Sequence, residues 1–274
     1  MLDLLRLIRF HNLLVAAVGV LAGGWIALRA ITTPTVMVLA AVAAVGFGAA
    51  GNALNDLWDR AADRINRPGG ERPMAAGRLA VGTAHLCVAA GLLVGLAAAG
   101  LVSGTAVLVG AVTFAVLAAY SPFLKPRGVV GNVAVALIAG LPLEYGALAV
   151  GHAAAGVVPW ILAAWIHLVR EIVKDVDDQA GDRALGRRTL PLVAGPRRAS
   201  VIAAVLAAAF VPLSLGLPAW AHYGGAYFLT AMFAQLVVLV VASRLFAGRT
   251  QGNSRLLKGA MLVGVVALVA GRVM

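Results

Sequence analysis

Apolar residues run along this chain in long stretches, not at the two- or 3.6-residue periods of half-buried elements. Nine stretches stand out, at 12–31, 34–55, 82–102, 104–121, 129–149, 154–173, 199–218, 223–243 and 256–273. Each is close to the ~20 residues that an α-helix needs to cross the hydrocarbon core. The pattern predicts an all-α membrane protein, nine transmembrane helices in a single domain over residues 1–274. Gly19, Gly23, Gly48 and Gly51 are small enough to let helices approach closely in lipid. The first apolar run leads straight into the next, as an uncleaved helix would.

Composition narrows the class further. Of 274 residues, 62% are hydrophobic and 12% charged, which excludes a soluble globular domain, a disordered chain and a coiled coil. The lone cysteine, Cys87, allows neither an internal disulfide nor a cysteine metal site. The net charge is +11. In a membrane protein such an excess points to cytoplasmic loops and anionic lipid headgroups, not to nucleic acid. With the N-terminus placed in the cytoplasm, the segments 1–11, 56–81, 122–128, 174–198 and 244–255 face inward. Those segments and the adjoining helix ends hold every Lys and Arg except Arg29 and Arg272. The positive-inside rule is obeyed, and an odd number of spans puts the C-terminus outside.

The acids are more informative. All except Asp3 and Glu144 lie in two stretches, 56–71 and 171–182. Asp56, Asp59 and Asp63 are spaced i, i+3, i+7, and so are Asp175, Asp178 and Asp182. On a helix each triple shares one face, where like charges repel. Solvated loops with incidental charge would explain the location but not the spacing. Two such triples at the ends of two membrane helices call for a cation between them. Oxygen ligands with no His or Cys select Mg²⁺ or Ca²⁺ over zinc, and Mg²⁺ completes its shell with water and phosphate oxygens. The pattern therefore suggests a Mg²⁺-bound diphosphate, with all six aspartates as candidate metal ligands. Arg64, Arg67, Arg72, Lys125, Lys174 and Arg183 are available to neutralise the remaining oxygens. A Walker A loop is absent. A site at the mouth of an apolar bundle suits a substrate with a charged head and a long apolar tail.

With these motifs the chain resembles the UbiA superfamily of intramembrane prenyltransferases. Its marks are N-D-x-x-D-x-x-x-D after the second helix and D-x-x-D-x-x-x-D after the sixth. Here they read Asn55 to Asp63 and Asp175 to Asp182. Within the family, the runs from Asp63 to Arg78, Tyr120 to Asn132 and Arg170 to Pro191 look like the archaeal ether-lipid branch. The chain departs from that branch in the Gly69-Gly70-Glu71 spacer between Pro68 and Arg72, and in Met74-Ala75-Ala76-Gly77.

The resemblance implies a nine-helix UbiA-type bundle and Mg²⁺-dependent transfer of a prenyl group from an allylic diphosphate, geranylgeranyl diphosphate in that branch. The implied acceptor is the free hydroxyl of geranylgeranylglyceryl phosphate, and the site lies on the cytoplasmic side of the cell membrane, among membrane lipids. It implies catalytic roles for Asn55, Asp59, Asp63, Asp175, Asp178 and Asp182. Substrate contacts fall to Arg64, Arg67, Arg72, Lys125, Arg170, Lys174, Tyr120 and Asn132, with Lys125 and Arg72 gripping phosphate. Asn132 can equally be a packing hydrogen bond, and Glu144 either an acceptor-side residue or a protonated structural acid. His167 can face the cavity, and most tryptophans fit an interfacial belt. An aromatic-acceptor prenyltransferase of the quinone or chlorophyll type and a terpene cyclase remain open within the fold. A CDP-alcohol phosphotransferase would carry one motif of different form. A transporter would bury its acids mid-membrane.

Overall fold

The structure, a computed structural model, describes residues 1–67 and 69–273; Pro68 and Met274 lie outside the described residues. In chain order the helices are α1 (Leu2–Leu7), α2 (Phe10–Leu28), α3 (Pro34–Trp58), α4 (Arg60–Asn66), α5 (Val81–Val102) and α6 (Gly104–Ala119). They continue with α7 (Val129–Ala149), α8 (Ala153–Asp177), α9 (Gln179–Ala184) and α10 (Leu190–Ala194). The last three are α11 (Pro196–Trp220), α12 (Gly225–Phe246) and α13 (Asn253–Ala270). Among the described residues nine helical segments are long and apolar enough to span a membrane. They coincide with the nine expected stretches. One change is at α8, which runs on through Asp177. It carries Lys174 and Asp175 past the point where hydropathy alone ends the span.

Close approach holds the bundle together, because lipid removes the hydrophobic drive between helices. The main packing pairs are α7 with α8, α3 with α5, α12 with α13, and α2 with α7. At Gly46 a side chain would collide with the backbone of Gly91 and Gly95, and at Gly23 with the carbonyl of Leu143. Glycine at these crossings lets the backbones touch. Leu86, Leu93, Leu101, Leu108 and Leu229 point outward, as lipid-facing residues do. Two of the tryptophans expected in the interfacial belt instead tie helices together. The Trp160 indole donates to the Leu137 carbonyl at 2.8 Å and that of Trp165 to the Leu206 carbonyl at 2.8 Å, which satisfies their N–H groups.

Three breaks position the site. The span that starts with α6 ends in a wide turn over Tyr120–Leu124 and a tight turn over Lys125–Arg127. Pro122 and Pro126 in those turns have no N–H to continue a helical ladder. Gly128 follows at φ +61, where a Cβ would meet the Arg188 carbonyl at 2.5 Å. This seats the Lys125 turn against the segment after α9. The other two breaks fall within the acidic motifs: α3 gives way to α4 at Asp59, and α8 to α9 at Asp178. Neither triple therefore lies on one continuous helix face, as the spacing had suggested. The two short helices pack together, and the Gly181 N–H donates to Asn66 Oδ1 at 2.7 Å.

Candidate active site

A cavity of about 1020 Å³ opens among α2, α3, α7, α8, α12 and α13. On α8 alone it is lined from Leu162 to Asp178, a depth of ~24 Å at 1.5 Å per residue. Its lower walls are apolar, with Phe47, Ile166, Phe210, Val238 and Leu268 among the lining residues. Its mouth is charged. Asn55, Asp59, Asp63, Arg67, Arg72, Tyr120, Lys125, Arg170, Lys174, Asp175 and Asp178 all line it. Eleven of the fifteen expected site residues thus converge on one space, from segments far apart in the chain.

The carboxylates stand in two pairs. Asp59 and Asp63 come from the α3–α4 side, Asp175 and Asp178 from the α8–α9 side. Arg67 spans the gap: it pairs with Asp63 on its own helix and donates to both Asp178 oxygens at 3.1 and 2.9 Å. Burial opposes the Arg67 charge, but Asp178 and Asp63 outweigh it and raise its pKa. Asp59 accepts from Lys125 at 3.1 Å and from Arg187 at 2.5 Å. Burial alone would raise the Asp59 carboxyl, yet those two cations hold it below the usual carboxylate value. Asn55 donates to Asp59 at 3.1 Å and to the Ser121 hydroxyl at 2.5 Å, tying α3 to the wide turn. Asn132 donates to Asp175 at 2.9 Å and does not line the cavity, so it orients a carboxylate from behind.

Besides Asn132, three expected residues lie outside the cavity wall. Arg64 is exposed and donates to the Ala75 carbonyl at 3.0 Å, because it projects from the outer face of α4. Asp56, 1% exposed, is held by Arg9 at 2.9 Å and Arg72 at 3.5 Å. Asp182, fully buried, accepts from Arg187 at 2.9 Å, and Arg187 in turn reaches Asp59. In each of these two aspartates the second oxygen, Oδ2, is buried without a hydrogen-bond partner. The structure also adds residues that the motifs do not contain. Arg9, at the α1–α2 junction with φ +54, pairs with Asn55 and Asp56. Arg187 joins Asp59 to Asp182. Glu171, 7% exposed, lies one helical turn before Asp175 and pairs with Arg170 at 3.2 Å and Lys174 at 2.6 Å. Only Glu171 carried a signal in the sequence, as a fourth acid in register with Asp175 and Asp178.

Among the described residues no three acidic, His or Cys side chains form a ready-made metal cage. That suits Mg²⁺ at a phosphate site, which takes one or two carboxylates and leaves other positions to phosphate oxygens and water. The four cavity aspartates supply a hard, all-oxygen donor set, with cations beside them for the remaining anionic charge.

A charged mouth with facing carboxylate pairs over a deep apolar cavity, in a nine-span bundle, defines the class. The chain belongs to the UbiA prenyltransferase family, which it matches over residues 16–265. More particularly, it is 38% identical to a digeranylgeranylglyceryl phosphate synthase of Halobacterium salinarum, with 98% of this chain and 96% of that one aligned. The fold is shared with the solved structure of a digeranylgeranylglyceryl phosphate synthase, at a TM-score of 0.79 and 24% identity over 99% of this chain and 98% of that one. It is shared too with a UbiA homologue from Archaeoglobus fulgidus bound to GPP and Mg²⁺, at a TM-score of 0.67 and 20% identity over 98% of each chain.

Proposed function

We propose that this protein transfers a geranylgeranyl group from geranylgeranyl diphosphate to the free hydroxyl of geranylgeranylglyceryl phosphate, as an integral membrane enzyme of one domain. The carrying observation is the pair of facing carboxylate walls, bridged by Arg67, at the mouth of a deep cavity whose lower walls are apolar. Asp59, Asp63, Asp175 and Asp178 would hold Mg²⁺, which supplies Lewis-acid neutralisation of the departing diphosphate. Lys125, Arg67 and Arg72 stand beside those carboxylates and bind the outer phosphate oxygens. The apolar walls fix the prenyl chain and exclude water from its reactive carbon. The acceptor oxygen forms a bond to that carbon, the C–O bond to diphosphate breaks, and diphosphate leaves with the electron pair. The hydroxyl proton passes to solvent or to the leaving diphosphate.

The positive-inside distribution supports a cytoplasmic N-terminus and a cytoplasmic mouth. The acceptor reading rests on the 38% relative and on a surplus of cations that an uncharged or aromatic acceptor would not need. The test is purified protein in lipid nanodiscs with geranylgeranyl diphosphate, Mg²⁺ and a panel of acceptors, with products read by mass spectrometry. Geranylgeranylglyceryl phosphate should be prenylated well and its dephosphorylated form poorly, and EDTA should abolish turnover until Mg²⁺ is restored. Full activity in excess chelator would sink the metal mechanism. Preference for 4-hydroxybenzoate or the dephosphorylated ether would sink the acceptor assignment.

A further inference from the structure

The cavity wall carries two charged stripes, not one. On α8, Glu171, Asp175 and Asp178 follow each other at i, i+4, i+7. His167, Arg170 and Lys174 follow at i, i+3, i+7. The stripes are offset by one residue, about 100° around the helix, and all six side chains line the cavity. The acidic stripe meets α4 through Arg67 and Asp178. The basic stripe faces a different neighbour: Lys258 of α13 lines the same cavity, together with Arg9 and Arg72. Both α8 and α2 pack against α13, so the basic stripe belongs to a wall built by α2, α8 and α13.

This wall has charge that the protein does not neutralise. Glu171 is the one carboxylate shared by Arg170 and Lys174. Among the described residues Lys258 enters no ion pair. Three cations against one acid leave a surplus of two positive charges on this wall, with Arg170 and Lys174 partly buried and Lys258 exposed. The Nε atoms of Arg170 and Arg9 are buried and have no hydrogen-bond partner. A phosphate monoester carries about −1.5 to −2 at neutral pH and three acceptor oxygens, which matches both the surplus and the donors. In a glycerol phosphate the free hydroxyl lies within two carbon–carbon bonds of the phosphate-bearing carbon, so the acceptor's anionic site must adjoin the donor's. Lys174 and Asp175 are consecutive residues of α8, one on each stripe.

We propose that Arg170, Lys174 and Lys258 form a second anion subsite, which takes the phosphate of the acceptor while the carboxylate wall takes the donor diphosphate. The subsite rests on the acceptor reading above, and Lys258 is its specificity-determining residue. Because Lys258 has no acidic partner, its removal strands no buried carboxylate, and Lys258→Met should fold.

The experiment is steady-state kinetics of wild type, Lys258→Met and Lys258→Arg in nanodiscs. Both substrates are varied, and the dephosphorylated acceptor is run alongside. For Lys258→Met the KM for geranylgeranylglyceryl phosphate should rise roughly ten- to a hundredfold, the worth of a charged hydrogen bond. The KM for geranylgeranyl diphosphate should stay within about twofold, and the preference for the phosphorylated acceptor should shrink by the same factor as its KM rises. Lys258→Arg should restore most of both. A rise in the donor KM instead, or an unchanged acceptor KM, overturns the subsite while leaving the acceptor reading intact. No turnover of geranylgeranylglyceryl phosphate by the wild type overturns the acceptor reading and the subsite with it.

Discussion

In the first acidic motif Asp59 and Asp63 line the cavity, while Asp56 lies behind the wall in the grip of Arg9 and Arg72. In the second, Asp175 and Asp178 line it, and Asp182 is the one behind, held by Arg187. The spacing of the two triples is identical, and in both the middle aspartate sits where a long membrane helix breaks into a short one. What differs is which flanking aspartate is withdrawn: the first member in one motif, the last in the other. The choice is made by the arginine within reach. Arg9 approaches from the α1–α2 junction beneath α3, and Arg187 approaches from beyond α9. A carboxylate spacing thus specifies that three acids arrive together, and the distant cations decide which two face the substrate.

The largest effect expected from this division is on stability. Asp182 is fully buried and its partner Arg187 is 6% exposed at the side chain. Removing one member of a buried pair typically costs ~3–5 kcal/mol, and Arg187 keeps Asp59 as a partner, so Asp182→Asn should cost somewhat less than that. Asp182→Asn should therefore lower the thermal midpoint of the purified protein by several degrees, and Asp56→Asn somewhat less, since Arg9 is 21% exposed and can rehydrate. Fluorescence-detected unfolding in detergent would measure both. A normal midpoint for Asp182→Asn with complete loss of Mg²⁺-dependent turnover would break the comparison, for it would make Asp182 a metal ligand and not an anchor.

The cavity-facing members should show the opposite profile. Loss of one preorganised electrostatic group at a reacting centre commonly lowers the rate roughly 10²–10³-fold. Asp63→Asn and Asp178→Asn should each lose about that much in kcat, with Mg²⁺ requirement shifted to higher concentration. Their stability should fall less than that of Asp182→Asn, because their side chains are 9% and 19% exposed and that of Asp182 is fully buried. A large gap between the two variants in kcat would mean that one wall alone carries the metal.

Much of this organisation was legible before any coordinates. The nine spans follow from hydropathy because lipid demands long apolar helices, and the site's location follows from the acids because nothing else in such a chain requires them. The end of α8 was misread for a physical reason. Lys174 and Asp175 look like a loop to hydropathy, yet Lys174 pairs with Glu171 one turn back and Asp175 accepts from Asn132, and the helix continues. The withdrawal of Asp56 and Asp182 could not be read at all. Asn55 and its Arg9 partner are 46 positions apart, and Asp59 and Arg187 are 128 apart. Only the packing of α1 and of the segment after α9 brings those arginines to the motifs.

The smallest effect is expected one residue away from one of the largest. Asp177 and Asp178 are neighbours in sequence and in formal charge, so any account based on acidity alone treats them alike. The structure does not: Asp177 is exposed and forms no ion pair among the described residues, while Asp178 lines the cavity and binds Arg67. Exposed substitutions without a specific partner usually change stability by less than about 0.5 kcal/mol. Asp177→Asn should leave the thermal midpoint and the Mg²⁺ requirement where they are and alter kcat by no more than about twofold. The pair therefore tests geometry with composition held constant. If Asp177→Asn were as damaging as Asp178→Asn, the loss would follow the net charge of the mouth and not the placement of its carboxylates, and the division between facing and withdrawn aspartates would lose its meaning.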